Sequence, residues 1–179
     1  MKKNKPILIF LVKFFATYFL LFGLYSLYLL KSQVKKEGVF KTASVTSLVA
    51  YQSVGVLKYL GFHVRQEQHK EELSIKLIIN GAYTARVIEG CNSISIIILF
   101  IAFIIAFSST VKATGVYILF GSVLIYIINL LRICFLTVMM YKYPAYQEFL
   151  HGIVFPAIIY GTTFLLWVVW VDQFSKLKK

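Results

Sequence analysis

Three side chains with the chemistry for acyl transfer stand out, Cys91, Arg132 and His151, each near one end of a different long apolar run. A thiolate is a nucleophile, a guanidinium can face a developing oxyanion, and an imidazole can carry a proton between a leaving and an entering group. Cys91 stands just ahead of its run, with Asn92 or Ser93 able to cap a helix there. The unpaired N–H groups and dipole of a helix start favour thiolate over thiol. Arg132 lies inside an apolar run with Asn129 three residues earlier, so the two share a helix face. An arginine in that setting is expensive and must address a partner or a cavity. His151 precedes the last run, in Glu148-Phe149-Leu150-His151-Gly152. Asn129, Glu89 and Asn92 are the supporting candidates, and Glu89 and Glu148 are carboxylates able to orient His151 or Arg132, or merely solvated. Taken singly, each residue has a plainer reading: a small buried hydrophobe, a snorkelling cation, a solvated imidazole. Their common predicted depth is what joins them into a cysteine-nucleophile site.

The elements that must hold these residues are set by composition. The 179-residue chain is 59% hydrophobic, more than a soluble domain of this size can hide, which makes it an integral membrane protein. A net charge of +12 in a soluble protein would point to nucleic acid; here the lysines flank apolar runs and address anionic lipid headgroups instead. Cys91 and Cys134 are too few for a disulfide framework, and Cys134, inside a run, reads as a packing residue. No metal-binding spacing of His, Cys or acidic residues occurs, so no metal is expected, and acyl transfer by the three residues requires no organic cofactor.

The expected fold is an all-α polytopic membrane protein forming a single membrane domain over residues 1–179. About four apolar runs are long enough to cross a bilayer, near 7–30, 92–110, 115–141 and 153–171. The first is entered through Lys2, Lys3 and Lys5. It is longer than a signal-peptide core and ends in Tyr28, Leu29 and Leu30, which favours an uncleaved anchor. Trp167 and Trp170 suit an interfacial aromatic belt, and Lys176, Lys178 and Lys179 mark a cytoplasmic tail. With both lysine-rich ends inside, Lys112 is cytoplasmic, while 31–90 and the loop 142–152 lie outside. All three reactive residues then fall at the outer face. Lys31, Lys35, Lys36 and Lys41, close after the first run, pull against this orientation.

The extracytoplasmic segment, about 31–90, holds most of the acidic residues. Residues 42–60 read as an amphipathic interfacial helix, with Val45, Leu48, Val49, Val56 and Leu60 at helical spacing, Ser44 as cap and Gly61 as stop. A fifth crossing is the alternative for this stretch. Residues 73–89 read as a small β-hairpin turning at Asn80-Gly81, because both central positions of a type I′ turn need positive φ. Its second strand leads directly into Glu89-Gly90-Cys91.

With these motifs in order, the chain resembles the exosortase/archaeosortase family of membrane cysteine transpeptidases, and its layout is similar to the compact exosortase F type. The resemblance covers about residues 42–165. It rests on the 42–62 helix with its Leu60-Gly61 ending, Glu89-Gly90-Cys91-Asn92-Ser93, Asn129-Leu130-Leu131-Arg132-Ile133, and His151. It implies Cys91 as nucleophile with Arg132 and His151 as its catalytic partners. Many relatives carry a Cys-Ser-Gly-like sequence where this chain has Cys91-Asn92-Ser93. Many also have more membrane helices, so this minimal form is self-sufficient or oligomeric. The resemblance further implies a bacterial inner-membrane enzyme with its site at the extracytoplasmic face. Its partners would be membrane lipids, a small membrane protein, and exported proteins ending in a short motif, a membrane helix and a basic tail. The competing classes are a non-enzymatic membrane scaffold or transporter subunit, and an intramembrane protease that only cleaves.

Overall fold

The computed structural model describes residues 5–36, 39–107 and 109–174. Helix α1 (Lys5–Ser32) leads into a short antiparallel pair, β1 (Val34–Lys36) and β2 (Val39–Lys41). Helix α2 (Ser44–Tyr59) is followed by a three-stranded antiparallel sheet of β3 (Val64–Gln68), β4 (Ser74–Ile79) and β5 (Ala82–Ile88), in that order. A 3-10 turn (Glu89–Cys91) opens into α3 (Ile94–Ala106), and α4 (Val111–Lys142) returns. A 3-10 turn (Pro144–Tyr146), the single turn α5 (Gln147–Phe149) and a π turn (Leu150–Val154) run on into α6 (Phe155–Gln173).

Among the described residues, three helical stretches are long and apolar enough to cross a membrane: Lys5–Ser32, Val111–Lys142 and Pro144–Gln173. The run expected to span at 92–110 forms α3, which has only 13 residues. That is about 20 Å of helix against a hydrocarbon core of about 30 Å. The chain is thus a multi-pass membrane protein of three long helices and one short one, with small sheets at one end.

Ring contacts and hydrogen bonds fix the helix directions. Phe10, near the start of α1, has its ring centroid 4.5 Å from that of Phe107 at the end of α3, while Tyr25, late in α1, meets Asn92 just ahead of α3. These two helices are antiparallel. Trp170, late in α6, lies 4.8 Å from Tyr117, early in α4, and Phe155 at the start of α6 meets Phe135 late in α4. The sheets therefore gather at the end of the bundle where α1 and α4 finish and α3 and α6 begin. Helix α1 buries none of its residues, and Ile7, Leu8, Phe19 and Leu20 point outward, which suits lipid.

Two apolar cores follow. One joins Val49, Val54 and Leu57 of α2 to Ile75, Leu77 and Ile79 of β4, Val87 of β5, and Ile133 and Cys134 of α4. The other joins Phe100 and Ile104 of α3, Ile125 of α4, and Ile159, Leu166 and Trp170 of α6. Helix α4 serves both.

Several expectations change. Helix α2 is packed into the protein along one side: Thr46, Val49, Ala50, Ser53, Val54 and Leu57 are buried against the sheet and α4. Small side chains at 46, 50 and 53 let those neighbours approach, and Leu48, Tyr51 and Leu60 are left outward. Ser44 does not cap it; the cap position is Ala43, which has no capping side chain of its own. Gly61 does stop it, at φ +89°, in a Schellman arrangement with Phe62 N donating to Leu57 O and Gly61 N to Lys58 O. The expected hairpin is present, with Asn80 and Gly81 at φ 50° and 85°, but it gains β3 as a third strand. A bulge between Leu77 and Ile78 accommodates Thr84 and restores the inward phase of Ala85 and Val87. The expected loop at 142–152 is helical from Pro144. Trp170 is buried within the bundle, its Nε1 donating to Phe107 O at 3.0 Å.

Candidate active site

Cys91 ends the 3-10 turn that connects β5 to α3, so a strand on one side and a helix on the other deliver it. Its residue is half-buried against the sheet-side core. The next two residues shape the turn. Asn92 Oδ1 accepts from Ile94 N at 3.0 Å, ending one of the unpaired amides at the helix start. Ser93 adopts a left-handed conformation at φ 63°, and its hydroxyl donates to Asn92 O at 2.6 Å. Position 93 thus takes the backbone shape that glycine adopts most readily, held here by a serine.

Helix α4 reaches this turn directly. Asn129 is buried, and its Nδ2 donates to the Cys91 carbonyl at 2.7 Å. Arg132 follows one turn later, toward the sheet-bearing end. It lines a groove of about 270 Å³ between α4 and α6, together with Ile128, Leu131, Phe135, Phe155 and Ile158. A guanidinium in an otherwise apolar groove is the arrangement expected of a cation kept for a ligand or a headgroup.

His151 lies in the π turn, exposed, beside the buried Leu150. Pro156 accounts for that turn. It has no N–H to donate to Gly152 and its ring would press on that carbonyl, so the ladder widens, and Phe155 N bonds Leu150 O instead. His151 is one turn before Phe155, whose ring borders the Arg132 groove. All three sequence-derived residues therefore stand at one end of the bundle. Cys91 and Asn129 are in direct contact. Among the described residues, no hydrogen bond or ion pair joins the side chains of Cys91, Arg132 and His151 to one another.

Glu89 does not turn toward His151 or Arg132. Its carboxylate accepts from Ala43 N at 3.1 Å and from the Thr46 hydroxyl at 2.6 Å, so a residue from the Cys91 turn supplies the missing cap of α2. Asn92 Nδ2 lies 3.0 Å from the same carboxylate and 2.7 Å from the Tyr25 hydroxyl. Sequence reasoning missed Tyr25 and Thr46. Neither carries a spacing signal, because their partners lie 43 to 67 positions away. A hollow of about 740 Å³ lies elsewhere, lined in part by Lys58, His63 and Arg65 at the far end of α2 from Thr46. Among the described residues, no cluster of His, Cys, Asp and Glu could hold a metal ion.

A short apolar bundle carrying a thiol just ahead of a helix, an arginine in a groove between α4 and α6 and a small sheet at the same end defines a multi-pass membrane protein with a candidate cysteine site. The sequence profile of the transmembrane exosortases matches residues 7–169, nearly the whole chain, and the protein belongs to that family. Membership supports a membrane-embedded sorting transpeptidase in general terms. Comparison with curated proteins and with solved structures gives no match.

Proposed function

We propose that this protein is a membrane cysteine transpeptidase that cleaves the C-terminal sorting signals of exported proteins through a thioester and passes the shortened chain to an acceptor. The observation that carries the reading is the Asn129–Cys91 hydrogen bond within a family match that covers all three reactive residues. It ties the turn bearing the thiol to the helix face that also carries Arg132.

In the proposed reaction the Cys91 thiolate attacks the scissile carbonyl, forming an S–C bond and a tetrahedral oxyanion. Arg132 faces that charge. His151 gives a proton to the leaving amine as the C–N bond breaks, leaving the thioester. An acceptor amine then attacks the thioester, His151 takes its proton, and the thiolate is released. Water in place of the amine would make the outcome proteolysis. His151 meets the reacting bond when the substrate lies between α4 and α6; catalytic hydrogen bonds are commonly completed only in the substrate complex. The compact F-type layout, the bacterial inner membrane and an extracytoplasmic site complete the reading. The substrates are exported proteins with a terminal motif, membrane helix and basic tail. A small membrane protein is a further partner.

The test is processing of a tagged substrate by Cys91→Ala and Cys134→Ala. Loss in the first alone is expected. Full processing by Cys91→Ala would overturn the proposal and favour a non-enzymatic scaffold, whose signature is instead loss of assembly in Arg132→Leu. A product bearing a new C-terminal attachment separates transfer from plain cleavage.

A further inference from the structure

Helix α1 buries no residue, so by packing alone it is only an anchor. One of its side chains contradicts that role. Tyr25 sits roughly two turns, about 10 Å, before the end of α1 and points at the nucleophile turn. Its hydroxyl accepts from Asn92 Nδ2 at 2.7 Å and turns its own hydrogen toward Glu89 Oε2 at 3.5 Å. Thr46, fully buried in the first turn of α2, donates to Glu89 Oε2 at 2.6 Å and lies 3.2 Å from Asn92 Nδ2.

We infer that Tyr25 and Thr46 are positioning residues for Cys91, acting through the Glu89–Asn92 pair that brackets it. The inference rests on the reading of Cys91 as nucleophile. Glu89 stands two residues before the thiol and Asn92 one residue after it, so fixing both side chains fixes the turn between them. No cation is paired with Glu89 among the described residues. Its carboxylate is held by the α2 start at Ala43 N, by two hydroxyls and by one amide. Hydrogen bonds to an ionised acceptor are the stronger kind, and an acceptor that gathers donors from several elements locks those elements together. Asn129 holds the Cys91 carbonyl. The turn is thereby held by side chains from three helices, α1, α2 and α4. The membrane anchor thus becomes part of the apparatus that aims the thiol.

The inference also places the site in depth. Because α1 and α3 are paired from Phe10–Phe107 up to Tyr25–Asn92, Cys91 lies below the end of α1, within the span of that helix. The scissile segment must therefore dip to the level of Tyr25 to meet it.

The experiment uses the full-length protein in membranes, in a Cys134→Ala background, with Tyr25→Phe, Thr46→Val, Thr46→Ser and, as control, Tyr18→Phe. Two quantities are measured: substrate processing, separated into kcat and KM, and the rate at which a maleimide alkylates Cys91. Tyr25→Phe and Thr46→Val should each lower kcat about tenfold, the effect of one lost hydrogen bond to a charged group, with KM nearly unchanged. Both should also raise the alkylation rate of Cys91 as the turn loosens. Thr46→Ser, which keeps the hydroxyl, should restore both readouts, and Tyr18→Phe should match the parent. Parent-like kcat and alkylation in Tyr25→Phe and Thr46→Val would overturn the inference. So would a Thr46→Ser variant as impaired as Thr46→Val, because packing rather than the hydroxyl would then be responsible. Processing that survives Cys91→Ala would instead sink the proposed reaction. In that event the alkylation rates alone decide whether Tyr25 and Thr46 hold the turn.

Discussion

The two cores of this molecule are built by different rules. The sheet-side core is made of aliphatic and small residues from α2, β4, β5 and α4, arranged by strand alternation and close helix approach. The bundle core relies on large rings, with Phe100 and Trp170 fully buried, and on indole and phenol groups that bond main-chain carbonyls across helices: Trp170 to Phe107, and Tyr117 to Leu166. The first resembles a soluble domain, the second a membrane interior, where a buried polar group must find a partner inside the protein. Cys91 sits at the edge of the first, half-buried against it. The polar side chains that hold its turn, Glu89, Asn92, Asn129, Tyr25 and Thr46, come from α1, α2, α4 and the turn itself. A candidate thiol placed there is held by three helices without being sealed into either core.

The largest effect expected from that placement is chemical. Cys91→Ala should abolish product formation, whereas Cys134→Ala, which only trims a small buried group in the sheet-side core, should cost about 1 kcal/mol of stability and leave turnover intact. Turnover and thermal melting of both variants in detergent check this. Equal loss of activity in the two would erase the distinction between a boundary thiol and a core thiol.

Next comes the joint itself. Asn129→Ala removes the donor to the Cys91 carbonyl while leaving both cores filled. It should lower turnover by about tenfold to a hundredfold with a melting shift worth only about 1–2 kcal/mol. A variant that melts much earlier yet turns over normally would show that Asn129 serves packing and not the turn.

Much of this arrangement is legible in the sequence, and the exceptions have physical causes. The apolar runs fix α1, α4 and α6, and Asn80-Gly81 fixes the hairpin turn, because hydropathy and positive φ are local properties. Strand β3 is not legible: Val64-Arg65-Gln66-Glu67-Gln68 has one buried apolar residue, and its pairing with β4 supplies the rest. The packing of α2 is misread for a related reason. Large apolar side chains lie on both of its sides: Leu48, Tyr51 and Leu60 face outward, while Val49, Val54 and Leu57 are buried among small Thr46, Ala50 and Ser53, so apolar spacing alone does not mark the buried face. At the candidate site, residue types single out Cys91, Arg132 and His151 as candidates, but give no sign of the cap that Glu89 provides to α2 across 46 positions.

Three glycines sharpen the comparison further. In the bundle, a Cβ on Gly121 would overlap the ring of Phe100, which is fully buried and cannot swing away. Gly121→Ala should cost about 1–3 kcal/mol through overpacking, read as a lower melting temperature. In the sheet region, Gly81 has open space around it but sits at φ +85°. Its replacement by alanine should cost about 1 kcal/mol through backbone strain alone. Gly55, in the middle of α2, has neither constraint: nothing lies within 4 Å of a Cβ there, and its φ is not in the left-handed region. Alanine at that position removes the entropic penalty of glycine in a helix, so Gly55→Ala should stabilise by up to about 1 kcal/mol. A rise in melting temperature for Gly55→Ala beside falls for the other two would show that α2 is an ordinary packed helix with a free outer face. A fall would mean that the outer face of α2 is covered in the membrane, and that its outward Leu48 and Tyr51 mark a contact surface.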